Sequence, residues 1–372
     1  MYDLIFDNAR LCDGTGAASV LGSLAVEDGR IVAMGRLGGA AARRRIDAEG
    51  RVLAPGFIDP HTHYDAQLAW DPLATCSPLH GVTTIVFGNC GVGVAPVRPE
   101  MRERVMQDLV GVEGIPIDVM RQGIDWRWET WGEYLDVLDA SGLGVNVAGL
   151  LAYTPLRHYV MGEASLERAA TRPEIDAMTA LFRSAMADGA FGFSTSVSQT
   201  HAGEGGRPVA CRNASRAELA AMSRVLREFD RGVVGVALDS AGWNLISDDE
   251  LELLRVLAGE SGKRVTFLSM LSRPQEPDFH DRTFAKLETL GRSRRRSCRR
   301  RRRGRSSPSA TCARRRSLPC TRASRRRSAT TRNGRRRRPP ARSSAGTSRA
   351  RASARADRAR RSAEATARAT HS

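Results

Sequence analysis

The chain has 372 residues and a formal net charge of +17, but the charge is distributed very unevenly. Residues 291–372 hold 30 of the 58 basic residues and two of the 41 acidic ones, so this segment carries +28 and residues 1–290 carry −11. An acidic body of ordinary apolar content is typical of a globular enzyme and excludes a nucleic-acid-binding body. The seven cysteines have wide, irregular spacings, which argues against a disulfide framework.

The N-terminus has no basic segment followed by an apolar run, so we expect no signal peptide. No apolar stretch is long enough to span a bilayer, so no membrane association is expected. Together these features predict a cytoplasmic protein.

Residues 1–55 have the pattern of a small β-domain, which we expect to be β-sandwich-like. Two short apolar strands flank the dipeptide Asp28-Gly29. This dipeptide is typical of a two-residue hairpin turn, because both positions tolerate a positive φ.

From residue 53 onward, apolar strands alternate with helical patterns, which indicates parallel βα units. Strands are predicted near residues 53–58, 82–88, 145–151, 190–195, 232–238 and 264–270. The sequence therefore predicts an α/β fold in which residues 56–290 form part of a (β/α) TIM-type barrel, incomplete after about six strands.

Two histidines follow the first predicted barrel strand, in the sequence Phe57-Ile58-Asp59-Pro60-His61-Thr62-His63-Tyr64-Asp65. Residues i and i+2 of an extended chain point the same way, so His61 and His63 project together from the end of the strand. Two neutral imidazoles on one face can hold a divalent metal. A pair of surface histidines in a loop is the alternative, and the preceding buried strand favours the metal.

Cys90 ends the second predicted strand, within Gly88-Asn89-Cys90-Gly91. A lone cysteine after a strand is commonly a small buried hydrophobe. At the carboxyl end of a barrel strand it can also reach a metal as a thiolate. The residues alone leave both roles open.

Four motifs, in this order, resemble those of the amidohydrolase superfamily and, within it, the D-aminoacylase (N-acyl-D-amino-acid deacylase) branch. They are residues 61–65, 80–91, 156–162 and 189–196, and the resemblance covers about residues 1–290. It implies His61, His63 and Cys90 as metal ligands, with one or two divalent ions, expected to be Zn²⁺. It also implies metal-assisted hydrolysis of a small linear amide such as an N-acyl-D-amino acid.

The chain departs from this family at several positions. Relatives usually carry a histidine at the end of the fifth strand and another at the end of the sixth, where this chain has Leu238-Asp239-Ser240 and Leu268-Ser269-Met270. Asp239 could offer an oxygen ligand at this position, but we expect it to cap a helix or turn. The catalytic aspartate of the family follows the eighth strand, and the chain offers no in-frame counterpart. The general base is therefore unknown, and we expect this chain to be impaired.

Three residues near the predicted barrel mouth are candidates for substrate binding. Tyr153 stands where relatives often have a histidine, and His201 lies in a glycine-rich loop. Arg157 can meet a substrate carboxylate bidentately, although an ion pair inside the barrel explains it equally well. Trp126, Trp128 and Trp131, near Tyr134, are expected to pack in the core.

Residues 291–372 contain no Val, Ile, Met, Phe, Tyr or Trp, and Leu318 is their only leucine. Such a segment has nothing to bury, so we expect a disordered tail. A basic tail that binds nucleic acid is one explanation. We favour a shifted reading frame of a GC-rich gene, because the change falls inside an unfinished barrel and yields residues with GC-rich codons.

Two other functions stay open. One is a cyclic-amide hydrolase similar to dihydroorotases and hydantoinases, although these enzymes typically use a carboxylated lysine that we cannot place here. The other is a non-catalytic barrel fragment whose basic tail holds nucleic acid.

Overall fold

The computed structural model describes residues 1–240, 245–268, 275–276, 278–279 and 281–290. The predicted tail and the last residues of the expected sixth barrel strand lie outside these ranges. The helices that the structure describes are all too short or too polar to cross a lipid bilayer.

Five strands near the N-terminus form one sheet around a long central strand, β1. They are β1 (Tyr2–Leu11), β2 (Val20–Glu27), β3 (Arg30–Gly35), β4 (Ala42–Asp47) and β5 (Val52–Leu53). β1 pairs antiparallel with β2 and parallel with both β4 and β5. The predicted hairpin is confirmed, because Glu27 pairs with Arg30 and the turn residues Asp28 and Gly29 have φ of 51° and 69°.

A second sheet of six parallel strands carries the rest of the fold. Its strands are β6 (Phe57–Asp59), β7 (Val82–Phe87), β8 (Asn146–Ala152), β9 (Gly192–Ser196), β10 (Val233–Ala237) and β11 (Arg264–Phe267). They lie side by side in chain order, from β6 at one edge to β11 at the other. This order is that of a (β/α) barrel, whereas a doubly wound sheet reverses direction at a switch point. The predicted partial TIM-type barrel is therefore confirmed.

Helices connect the strands. They are α1 (Arg102–Glu113), α2 (Ile117–Gly123), α3 (Trp131–Ser141), α4 (Tyr153–Met161), α5 (Arg172–Asp188), α6 (Arg216–Val225) and α7 (Asp248–Ser261), and residues 281–290 are also helical. The N-termini of α5 and α7 have capping boxes, formed by Thr171 with Glu174 and by Ser247 with Glu250. Each box satisfies backbone N–H groups that the first helical turn leaves free, so it fixes where the helix begins.

The predicted aromatic cluster packs in the core. Trp128, Trp131 and Tyr134 are 2%, 4% and 1% exposed, and the rings of Trp128 and Tyr134 are 5.0 Å apart. The indole N–H of Trp128 donates to the carbonyl of Val94 over 2.9 Å. The cluster therefore buries a large apolar area, and the polar atom of Trp128 finds a partner, whereas Trp131 Nε1 is buried with no hydrogen-bond partner among the described residues.

Candidate metal centre

The two histidines follow β6 at the carboxyl end of the sheet. Between them, Thr62 donates its backbone N–H (2.9 Å) and its hydroxyl (3.0 Å) to the carbonyl of Val86 in β7. This double hydrogen bond holds Thr62 against the neighbouring strand. Because i and i+2 share a face, His61 and His63 are both turned the other way.

The side chains of His61, His63 and Cys90 converge. The Nε2 atoms of the two histidines are 3.3 Å apart, and Cys90 Sγ is 3.3 Å from His61 Nε2. One ligand atom from each residue lies within 4.8 Å of the others. The structure thus brings together the three residues that the sequence analysis selected as metal ligands.

Cys90 reaches this position through an unusual turn. It lies in a short 3₁₀ segment, Asn89–Gly91, with a φ of 56°, which a non-glycine residue seldom adopts. The hydroxyl of Ser194 in β9 donates to the carbonyl of Gly88 and accepts the N–H of Gly91 at 2.9 Å. A Cβ on Gly88 would lie 1.9 Å from the carbonyl oxygen of Leu150, so only glycine fits there. Ser194 therefore positions the turn.

The protonation of these groups suits a cation. Burial, together with the neighbouring His61 and His201, lowers the pKa of His63 to about 3, so its imidazole is neutral at neutral pH. Burial also lowers the pKa of His61 and raises that of the Cys90 thiol. His63 Nδ1 is buried and has no hydrogen-bond partner among the described residues. Two neutral ring nitrogens that face each other beside a thiol offer lone pairs to which a divalent metal would bind.

One acidic side chain at this centre was missed by the sequence analysis. Glu113, the last residue of α1, places Oε1 3.2 Å from His63 Nε2. Burial raises the pKa of Glu113 to about 7. Its signal in the sequence was slight, because an acidic residue before a glycine looks like an ordinary helix end. Acidic residues are disfavoured at helix C-termini, however, so the sequence did show one unfavourable feature at this position.

Asp65 lies beside the centre but faces the protein interior. It is 2% exposed and accepts the N–H of Gly88 at 3.1 Å. Burial raises the pKa of Asp65 to about 7. Its carboxyl thus fastens the segment after β6 to the turn that carries Cys90.

The three candidates for substrate binding lie in different surroundings. Arg157 is fully buried, and its guanidinium pairs with Glu218, which also accepts the hydroxyl of Tyr153 at 3.1 Å. This is the internal ion pair that the sequence analysis held open, and it leaves Arg157 and Tyr153 away from solvent. His201 lies nearer the metal centre, where Ser196 Oγ is 2.8 Å from its Nδ1.

Two further polar groups have structural partners. Asp239, at the end of β10, accepts the backbone N–H of Gln199 at 2.6 Å, so its expected turn-capping role is confirmed. His158 lies between Asp108 (2.9 Å) and Ser165 (2.7 Å) in a geometry similar to a catalytic triad. All three are at most 3% exposed, so Ser165 cannot meet a substrate.

Comparison with known proteins agrees with this geometry. The model of a family described as "Amidohydrolase family" matches residues 44–304, which is more than half of the chain. Among curated relatives, a D-aminoacylase from Alcaligenes xylosoxydans xylosoxydans is 40% identical over 194 residues, covering 52% of this chain and 37% of that protein. An N-acyl-D-glutamate deacylase from the same organism is 30% identical over 223 residues, covering 60% of this chain and 41% of that protein.

Solved structures give the same picture. A crystal structure of D-aminoacylase is 31% identical with a TM-score of 0.64, covering 79% of this chain and 57% of that chain. An N-acyl-D-glutamate deacylase from Bordetella bronchiseptica, complexed with zinc and a phosphonate inhibitor, is 28% identical with a TM-score of 0.59, covering 78% of this chain and 56% of that one. The chain thus spans little more than half of these structures and about two fifths of the curated relatives. It belongs to the amidohydrolase family, in its D-aminoacylase branch.

Proposed function

We propose that this chain descends from a metal-dependent hydrolase of linear amide C–N bonds, with N-acyl-D-amino acids as substrates and Zn²⁺ as the metal. The observation that carries the proposal is the convergence of His61, His63 and Cys90, whose ligand atoms lie within 4.8 Å of one another. The names of the relatives support the substrate class, and one relative was solved with zinc.

The side chains of the centre have distinct parts in this proposal. His61 and His63 hold the ion through neutral nitrogens, and Cys90 supplies a negatively charged thiolate once its proton is displaced. When bound, a divalent metal would supply Lewis acidity for the amide carbonyl and for an attacking water. Thr62 and Ser194 hold the ligand side chains in position through their hydrogen bonds to Val86 and Gly88.

We also propose that the chain, as it stands, hydrolyses amides poorly. The described sheet ends at β6 and β11, and Phe57 in β6 is 67% exposed at that edge. Residues 291–372 contain no Val, Ile, Phe, Tyr or Trp, the apolar β-branched and aromatic residues with which further barrel strands could be built. The carboxylate that takes a proton from water in this reaction class is expected beyond the sixth strand.

An activity assay tests the proposed impairment and compares linear with cyclic amides. The purified 372-residue chain, loaded with Zn²⁺, would be incubated with N-acetyl-D-amino acids and with a hydantoin, and amine or ring-opened product measured. We expect product formation only near background from the chain itself. Turnover at an ordinary enzymatic rate, about 1–10³ s⁻¹, would contradict the impairment. Preferential opening of the hydantoin would favour the cyclic-amide alternative.

The reading-frame explanation of the tail needs a separate test. Translating the codons for residues 283–372 in all three frames should reveal apolar strands, helices and a late aspartate in another frame. The restored protein should then hydrolyse N-acyl-D-amino acids. If no frame encodes a fold, salt-sensitive binding of nucleic acid by residues 291–372 becomes the explanation to test.

A further inference from the structure

We infer that Glu113 is the fourth protein ligand of the metal centre formed by His61, His63 and Cys90. The inference rests on the proposed metal centre and extends it to a residue outside the barrel strands. In this inference the Glu113 carboxylate binds the metal, whereas an ordinary residue at a helix end faces solvent.

Three distances link the four donor atoms in a chain from Glu113 through His63 and His61 to Cys90. Ligand atoms about 2.05 Å from a tetrahedral ion are about 3.3 Å from one another. The two histidine Nε2 atoms are 3.3 Å apart, and Glu113 Oε1 is 3.2 Å from His63 Nε2. Cys90 Sγ is 3.3 Å from His61 Nε2. Glu113 therefore joins the group of His61, His63 and Cys90 through His63, at the spacing of two neighbouring ligands.

The position of Glu113 in α1 is otherwise unfavourable. It is the last helical residue, followed by Gly114 with a φ of 69°, so its carboxylate lies at the negative end of the helix dipole. Its side chain is only 21% exposed. Among the described residues, its carboxylate has His63 as its one polar partner at ion-pair distance. A cation between these side chains removes the electrostatic conflict.

The charges of the donor set also balance. Two neutral imidazoles, one thiolate and one carboxylate carry two negative charges, which match one divalent ion. The chain has no histidine at the end of β10 or at Leu268 after β11. Glu113 therefore provides a fourth donor from a helix where the later strands provide none. Because four protein ligands fill a tetrahedral site, the unaltered centre should have no open position for water, so the Lewis acidity of the parent hydrolase would not be available in this chain, in line with its proposed impairment.

Cobalt binding to the full chain tests this inference. Co²⁺ reports coordination by its visible absorption and a thiolate charge-transfer band. We expect Glu113→Ala to weaken Co²⁺ binding on the order of 100-fold, at least as much as loss of an outer-shell partner. Glu103→Ala is the matched control, because Glu103 lies at the other end of α1 and pairs with Arg121 on the surface. It should bind Co²⁺ as the unaltered chain does.

A second readout separates a ligand from a neighbour that merely positions His63. Added azide should leave the Co²⁺ spectrum of the unaltered chain unchanged and alter that of Glu113→Ala, in which a coordination position is open. Glu113→Gln, of nearly the same size, replaces Glu113→Ala if the latter fails to fold. Apo-protein thermal unfolding, compared with Glu103→Ala, checks folding.

The outcomes distinguish the inference from the proposed function. If Glu113→Ala binds Co²⁺ within threefold of the unaltered chain while His61→Ala and Cys90→Ser lose binding, Glu113 is not a ligand and the three-residue centre stands. If none of these substitutions changes Co²⁺ binding, or the unaltered chain binds none, both the centre and the role of Glu113 are wrong.

Discussion

The hydroxyl of Tyr134 donates to the backbone carbonyl of Asp65 over 2.7 Å. This hydrogen bond links the aromatic cluster of α3 to the segment that carries His61 and His63. Both partners are buried, at 1% and 2% exposure. The candidate metal centre is thereby anchored to the core behind it as well as to β7.

Removing this hydroxyl should destabilise the protein and loosen the centre. We expect Tyr134→Phe to lower the free energy of unfolding by about 1–3 kcal/mol, because the Asp65 carbonyl is left buried without its donor. Urea unfolding measures the change. Tyr159→Phe, at a partly exposed ring beneath the Arg98 guanidinium, is the control and should change stability by less than about 0.5 kcal/mol.

The buried pair of Arg157 and Glu218 should be far more sensitive than a surface pair. Glu218→Gln leaves the guanidinium charged and uncompensated, so we expect a loss of about 3–5 kcal/mol in the free energy of unfolding. The exposed pair of Arg183 and Glu228 gives the comparison, and Glu228→Gln should cost at most about 1 kcal/mol. Equal losses from the two variants, in denaturant unfolding, would contradict the structural role of Glu218.

Acid should abolish the contribution of Glu174 to the N-terminus of α5. Hydrogen bonds from Arg168 and Thr171 lower the pKa of Glu174 from 4.5 to about 2. The folded pKa is depressed, so the stabilisation is fully present above pH 4.5 and is lost as pH falls through 2. We expect Glu174→Gln to cost about 1 kcal/mol at pH 6, after allowance for solvent screening.

The pH dependence provides the check on this prediction. The difference in unfolding free energy between Glu174→Gln and the unaltered chain should shrink steadily between pH 4.5 and 2. A difference that stays constant over this range would show that the carboxylate charge contributes nothing. A difference that grows in acid would mean that folding raises the pKa of Glu174, which is opposite to the direction assigned here.

Metal should stabilise the folded chain through His61. At a free Zn²⁺ concentration 100 times its Kd, binding adds about 2.7 kcal/mol to the free energy of unfolding. We expect this gain in the unaltered chain and in His80→Ala, whose exposed side chain precedes β7 at the opposite end of the sheet. In His61→Ala the gain should disappear. Thermal unfolding with and without zinc distinguishes these results.

The sequence predicted the parts of the fold that depend on local patterns. Strands β7 to β10 begin and end within about two residues of their predicted bounds, because apolar runs flanked by turn residues define a buried strand. The starts of α5 and α7 carry an equally local signal, a cap residue three positions before an acid. The histidine pair was found for the same reason, since a period of two fixes which side chains share a face.

Residues whose roles depend on distant partners were harder to predict. Arg157 has the chemistry of a substrate anchor, and its partner Glu218 lies 61 residues further along the chain. Glu113 reaches His63 only because α1 packs back towards the carboxyl end of the sheet, and no local pattern encodes that approach. The role of Ser194, which holds the Cys90 turn from 103 residues away, likewise could not be predicted from local sequence patterns.

The side chains of the candidate metal centre all lie between residues 61 and 113, just after β6, just after β7 and at the end of α1. During translation, this segment is synthesised while more than two thirds of the chain is still to be made. At roughly 5–20 residues per second, synthesis of the remainder takes on the order of tens of seconds. The ligand side chains are thus made first, and the turn that carries Cys90 is fixed only once Ser194 of β9 has been added.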